Sequence, residues 1–361
     1  MSNYVEYNGK IAFHPGYYIK EIVDNSGLTQ EDFAKRLDTT PKNLSVLIRG
    51  EQSLSVDMAM KFSRMLNTSI IYWLNLQNAY DALIAEFKSE KELENERKVF
   101  ALFDYKYFKD NFGLPDLPRK IDEQIKEVRN FLDVSTLSVL CKKDMAVSFR
   151  SSATEMSEAN IIKANIMVQI ATNMALKRKA PQFNRKKFEE SIRYALTLTK
   201  EHDRFYKLVY DAFFDSGVVF IILPNLPGSK INGATKKIGD NIMLMVNNRR
   251  LYSDTFWFTL FHEIGHIINN DFGISFDDEC GEAEEFADEF ARNSLIPLKE
   301  YEEFVDMKDF TVPAIKNFSS RIDRDPAIVL GRLQNDGFLD YNDWNTKSLR
   351  YKYNVKVKYS I

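Results

Sequence analysis

Along the first 80 residues, apolar side chains recur every three or four positions in short runs separated by polar, cap-forming residues, which is the spacing of amphipathic helices. Thr29 with Asp32 has capping-box spacing ahead of Phe33, Ala34 and Leu37. Thr40 followed by Pro41 supplies an N-cap and a first-turn proline, and Gly50 suits a helix end. The segment from His14 to Asp81 is therefore predicted to form five short helices, two of them joined by a very short turn. In the second of that pair Leu44, Leu47 and Ile48 make an inward stripe, which turns Pro41, Lys42, Asn43, Ser45, Val46 and Arg49 outward. This is the arrangement of a helix-turn-helix, whose second helix enters the major groove of DNA.

From Ala79 helix formers continue through the charged stretch AEFKSEKELENERKVFALFDYKYFKD, with neither proline nor glycine until Gly113, and predict a connecting helix. The cluster GLPDLP at 113–118 breaks it, a second helical region is expected from Ile121 to Cys141, and apolar residues at helical spacing predict a helical block over 150–216. The pattern then changes. VVFIIL at 218–223 is a β-branched run ended by PNLPGS, and INGAT and NIMLMVN are two further strand candidates separated by KKIGD. The expected fold class is α+β, mostly α. It comprises a helix-turn-helix domain over 1–80, a helical connector over 81–145 and a domain with a small sheet over 146–361.

A chain of 361 residues is too long for one ordinary core, in keeping with several domains. With 44% hydrophobic and 28% charged residues, no apolar run near the ~18 residues of a membrane span and no apolar leader in MSNYVEYNGK, a cytoplasmic protein without a membrane partner is expected. Cys141 and Cys280 lie far apart, which excludes a disulfide framework and a thiolate cluster for structural zinc. The net charge of −3 argues against general polyanion binding, so DNA must be met by a local surface. One exists between Lys35 and Arg64, where six basic residues face three acidic ones.

The candidate chemistry sits in TLFHEIGHIINN, residues 259–270. At about 1.5 Å rise per residue, His262 and His266 lie one helical turn apart on one face and can converge on one ion. Glu263 is then placed to reach a water without coordinating, which is the logic of the HExxH spacing in zinc peptidases. Two histidines need a third ligand. None of the four histidines follows His266, since His14 belongs to the DNA-binding segment and His202 lies upstream, so the ligand must be a carboxylate. Eight of the thirteen residues from Asp277 to Glu289 are acidic, most of them as a solvated helix face. Within this run Glu284 and Asp288 are one turn apart and begin a segment with inward Ala287, Phe290 and Ala291. The glutamate can ligate while the aspartate accepts the outer ring N–H of a zinc histidine, which selects Glu284 over Glu282 and Glu285.

Two families resemble parts of this chain. HPGYYIKEIV, LTQEDFAKRL, SLSVDMAMKFSRML and NTSIIYWLNLQNAYD, across most of residues 10–81, are similar to the HigA-type antitoxin branch of the phage-repressor helix-turn-helix family. That resemblance implies dimers on palindromic operator DNA, often a partner toxin, and Lys42, Asn43, Ser45 and Arg49 as the residues that read DNA. GVVFIILPNLPG, INGAT, WFTLFHEIGHIINN, EAEEFADEFARNSLIP and DPAIVLGRLQNDGFL, over roughly residues 145–340, resemble the ImmA/IrrE metallopeptidases. This second resemblance implies a zincin-like core that cleaves a repressor or antitoxin, with Glu284, Ala287, Asp288 and Phe290 on the family's acidic motif. Phe261 stands where an alanine is usual, a departure that bears on packing.

The combined expectation is a regulator fused to a zinc metalloendopeptidase. Zn²⁺ is held by His262, His266 and a gluzincin-like third ligand, Glu284, Asp288 supports a ligand from behind, and Glu263 is the general base. The substrate is a repressor or antitoxin, the chain itself included. His202, Tyr210 and Tyr252 are the candidates for assisting the oxyanion, and the INGAT strand is expected to be the sheet edge to which an extended substrate adds. The alternative is a non-catalytic antitoxin or autorepressor whose peptidase-like domain only binds a toxin or a ligand. The presence of Glu263 favours the enzyme, because a structural zinc site has no need of an unligated base.

Overall fold

The computed structural model describes residues 3–143, 145, 157–249, 252–276 and 281–353, and the chain divides into two compact units, 1–95 and 96–361. Cys280 and the acidic residues 277–279 lie outside the described residues. No helix among the described residues is long and apolar enough to cross a membrane.

The first unit opens with an antiparallel hairpin, β1 (Tyr4–Tyr7) and β2 (Lys10–Phe13), which precedes the segment from His14 read as helical. Its turn is Asn8-Gly9 with φ of 49° and 74°, the two positive values that a two-residue type I′ hairpin loop requires. Helices α1 (Pro15–Asn25), α2 (Gln30–Arg36), α3 (Pro41–Ile48), α4 (Val56–Leu66) and α5 (Ile70–Phe100) follow. The side chains of His14, Thr29, Thr40 and Ser55 accept from the first-turn N–H groups of α1 to α4, so both caps read from the sequence are in place. Ile19, Phe33, Leu44, Leu47, Phe62 and Trp73 form the centre of the core. Gly16 has no room for a Cβ, which would meet the Leu47 carbonyl oxygen, so α1 crosses the end of α3 at backbone distance. The fifth helix is not short. Nothing between Asp81 and Phe100 caps or breaks it, and it runs on through the charged stretch for 31 residues in all.

The second unit begins with α6 (Tyr105–Phe112), capped by Asp104 where the sequence pattern continues without a break, and α7 (Ile121–Leu132). The latter stops at Asp133 in the left-handed region, φ 55°, and the expected helical region reaches Cys141 only through a short 3₁₀ helix, Leu137–Cys141. The predicted helical block resolves into α8 (Glu158–Leu176), α9 (Arg185–Thr197) and α10 (Phe205–Asp215), with residues 150–156 outside the described set. Then come β3 (Val218–Leu223), β4 (Ile231–Ile238), β5 (Asn241–Asn247), α11 (Ser253–Ile268), β6 (Gly273–Phe276), α12 (Glu282–Leu295), α13 (Leu298–Asp306), α14 (Val312–Arg321) and α15 (Pro326–Asn335).

The sheet order is β3-β5-β4-β6, with β3 parallel to β5 and β4 antiparallel to both of its neighbours. INGAT therefore lies inside the sheet. Both of its edges are taken, one by β5 and one by β6, with Ala234 opposite Ile274 and Thr235 opposite Gly273, so the substrate-edge expectation for this strand is overturned. Side chains alternate across the sheet. Val218, Phe220, Ile222, Ile242, Leu244 and Val246 face the main core with α11, while the intervening residues of β3 and β5 face the other way, where α8 packs. This sandwich buries α11 almost completely, and α12 and α15 close around it.

Candidate metal centre and DNA-facing helix

On α11 the spacing of HEIGH turns both imidazoles to one side, and α12 crosses that side. The approach is close because small residues meet there: a Cβ on Gly265 would stand 2.9 Å from Ala287 Cα. Glu284, one turn before Ala287, is thereby brought onto the histidines. His262 Nε2 lies 3.0 Å from Glu284 Oε2 and 3.0 Å from His266 Nε2, and His266 Nε2 lies 3.4 Å from Glu284 Oε1. One donor atom from each of the three residues fits within 4.8 Å.

Two further carboxylates hold the rings from behind. Asp288 Oδ1 is 2.8 Å from His262 Nδ1, and Asp271 Oδ2 is 3.1 Å from His266 Nδ1. With Nδ1–H donated outward in both rings, the Nε2 lone pairs face each other and a carboxylate across a buried gap, where they repel unless a cation lies between them. The titration of the cage expresses the same demand. Burial disfavours a charged His262, yet hydrogen bonds to Asp288 and Glu284 outweigh it and push the ring up to about 10. Burial likewise works against the Glu284 carboxylate, and hydrogen bonds to both histidines hold it well below the usual carboxylate range. A His₂-carboxylate donor set with oriented outer nitrogens fits a tetrahedral cation with one position left over.

Glu263 is fully buried beside the cage. Its carboxylate rests on Gly233 of β4, where an added Cβ would come to 2.5 Å from Glu263 Cδ, so this glycine is required by the carboxylate that covers it. Sequence reasoning missed Gly233, Gly265 and Asp271. A carboxylate five residues past the second histidine was visible as a candidate for its outer nitrogen.

The oxyanion candidates are engaged elsewhere. His202 Nε2 lies 2.6 Å from Asp325 Oδ2 and its ring stacks on Tyr351, and Tyr210 stacks on Phe214 within α10. Tyr252 caps the start of α11, ten residues or about 15 Å along the helix from His262.

In the first unit, three of the four predicted DNA contacts, Lys42, Asn43 and Ser45, lie on α3, and the fourth, Arg49, is its C-cap. Lys42 is exposed. Asn43 is half-buried, with its amide committed internally: Nδ2 donates to Thr39 Oγ1 at 2.9 Å and Oδ1 accepts from Gln52 Nε2 at 2.6 Å. The Arg49 guanidinium forks onto Glu51 at 2.8 and 3.0 Å and also donates to Ser45 Oγ. Hydrogen bonding to Arg49 lowers the Glu51 carboxyl.

A helical unit with a capped, outward-facing second helix and an α+β unit with a buried His₂Glu cluster define a two-part regulator. Comparison with known proteins agrees with both parts. The helix-turn-helix family profile matches residues 19–73, and the peptidase family described as the IrrE N-terminal-like domain matches 218–312. The HTH-type transcriptional regulator YddM of Escherichia coli is 37% identical over 79 residues, 21% of this chain and 84% of its own. Virulence-associated protein I of Dichelobacter nodosus is 32% identical over 76 residues, 21% of this chain and 70% of its own. Among solved structures, a plasmid-maintenance antidote protein from Nostoc punctiforme is 30% identical, covering 23% of this chain and 91% of that one, with a TM-score of 0.23. A HigA-family addiction-module antidote protein from Coxiella burnetii is 29% identical, covering 23% and 92%, with a TM-score of 0.22. The chain belongs to the helix-turn-helix regulators and carries a C-terminal IrrE N-terminal-like peptidase domain.

Proposed function

We propose that this chain is an operator-binding regulator, acting as a homodimer, whose C-terminal domain is a zinc-dependent endopeptidase that cleaves a repressor or antitoxin. The observation that carries the reading is the convergence of His262, His266 and Glu284 on one point with Glu263 buried alongside. Those three residues would hold a Zn²⁺, and Asp288 and Asp271 orient the two rings through their Nδ1 atoms, leaving Nε2 for the metal. When bound, the ion supplies Lewis acidity at a scissile carbonyl. Glu263 takes the proton of the attacking water and returns it to the leaving amine. Gly233 leaves that carboxylate its place and contributes no side chain of its own.

The substrate is a regulatory protein encoded beside this chain, or the chain's own helix-turn-helix unit, and a toxin partner fits the antidote names of the relatives. The test is metal content of the full chain, followed by incubation with its neighbouring gene products. Stoichiometric zinc and a specific cut that Glu263→Gln slows by about 10²–10⁴-fold support the reading. Absence of metal from the wild type, or cutting unaffected by Glu263→Gln, refutes it.

The DNA half has its own test. Lys42 on α3 and Arg49 at its C-cap are exposed cations, so Lys42→Ala and Arg49→Ala are expected to weaken operator binding in a gel-shift titration without loss of folding. A double variant that binds as tightly as wild type would remove α3 as the reading helix.

A further inference from the structure

Within the second unit a cleft of about 820 Å³ opens between the last turns of α5, the 101–104 turn, α6, the start of α7 and the β3–β4 loop. Its size falls within the roughly 300–1,000 Å³ of small-molecule sites. Phe100, Phe103, Leu226 and Pro227 give it apolar walls. Its charge is one-sided, with four cations (Arg97, Lys106, Lys109, Lys163) against two carboxylates (Asp104, Asp116) on the lining, an excess of two.

The pairing within the cleft shows where that excess sits. Arg97 is neutralised by a two-point contact with Asp122 at 2.8 and 2.7 Å, and Lys109 lies 3.3 Å from Asp116. Asp104 accepts the backbone N–H of residue 106 as the cap of α6. Lys106 is exposed and Lys163 half-buried, and neither side chain makes a hydrogen bond or ion pair among the described residues. The Lys163 ammonium instead lies against Gly228, where an added Cβ would be 2.8 Å from Nζ. An ammonium with no carboxylate partner among the described residues is available to meet an anion in the cleft.

We propose that this cleft binds a small organic anion with a planar apolar body, its charge held by Lys163 and Lys106 and its body lying against Phe100, Phe103 and Leu226. The site is separate from the metal cage, but it rests on the loop that feeds β4. Tyr107 Oη donates to Pro224 O at 2.8 Å and fixes α6 to the start of that loop.

Anilinonaphthalene sulfonate, an aromatic sulfonate, is the probe, titrated by fluorescence into the metal-loaded full chain. Saturable one-site binding is expected, about tenfold or more weaker in Lys163→Met and unchanged in Lys186→Met, an exposed change of equal charge on α9. The uncharged N-phenylnaphthylamine should also bind about tenfold more weakly. Because Lys106 is exposed, Lys106→Met leaves the fold intact and must weaken the probe even if Lys163→Met melts early. No saturable binding, equal affinity in the Lys163 and Lys186 variants when both are folded, no effect of Lys106→Met, or equal binding of the uncharged compound would each overturn the proposal.

Discussion

Asp271 reaches His266 from the loop that follows α11, and Asp288 reaches His262 from α12, so each imidazole is oriented by a carboxylate from a different segment. Removing one such charge leaves the ligand in place but lets its ring turn and change tautomer. Asp271→Asn is therefore expected to weaken metal affinity roughly 10–100-fold while the circular-dichroism spectrum stays that of wild type. Competition with a fluorescent chelator reads this directly, and an unchanged dissociation constant would show that Asp271 does not orient the ring. The two aspartates also mark the limit of what the residues reveal by themselves. Asp288 was legible because it shares a helix face with Glu284. Asp271 depends on how the chain turns after Asn270, a positive-φ residue at 57°, and no periodicity reports that turn. Gly233 was invisible for a similar reason, since its role exists only once β4 lies on α11.

At the scale of elements, the candidate centre is a crossing of two helices, and the crossing depends on one absent side chain. Gly265 faces Ala287 closely enough that a Cβ would sit 2.9 Å from the partner's Cα and 3.3 Å from its Cβ. Gly265→Val should push α12 away, carrying Glu284 and Asp288 off both histidines. The expected cost is about 1–3 kcal/mol in stability, with metal content falling well below one per chain. A folded Gly265→Val that keeps full metal content would mean that the crossing tolerates separation. The strands β3, β4 and β5 and most helices up to α12 were legible because each carries its own apolar run, period or cap. The continuation of α5 through the charged stretch was legible from the missing stop signal, but not its union with the fifth short helix, because its apolar residues lie on no single face throughout. The hairpin has a local signal, Asn8-Gly9, that lies ahead of His14, where the helical reading starts. The place of β4 inside the sheet was illegible, since β6 is a four-residue strand that follows the histidine helix and pairs non-locally.

For the whole molecule, the hydrophobic core of α1–α5 is distinct among the described residues from the core around α11, which implies two separately addressable stabilities. The core around Phe33, Leu44, Phe62 and Trp73 shares no residue with the core around Phe220, Leu244, Trp257 and Phe261. A metal held by residues 262, 266 and 284 stabilises the second by mass action, about 4 kcal/mol when free metal is a thousandfold above its dissociation constant. The cap at Thr40, whose hydroxyl accepts the Asn43 N–H at 3.1 Å, belongs to the first, and Thr40→Ala should cost about 1 kcal/mol there. In a calorimetric scan of the full chain, chelation is therefore expected to lower one transition and Thr40→Ala a different one. The chelator-sensitive transition should also become insensitive in His266→Ala, because that change removes a ligand and leaves nothing for the chelator to strip. If both treatments move a single common transition, the chain unfolds as one cooperative body. If chelation moves neither, no ion contributes to the stability of the cage, and the reading of Glu284 as a ligand fails with it.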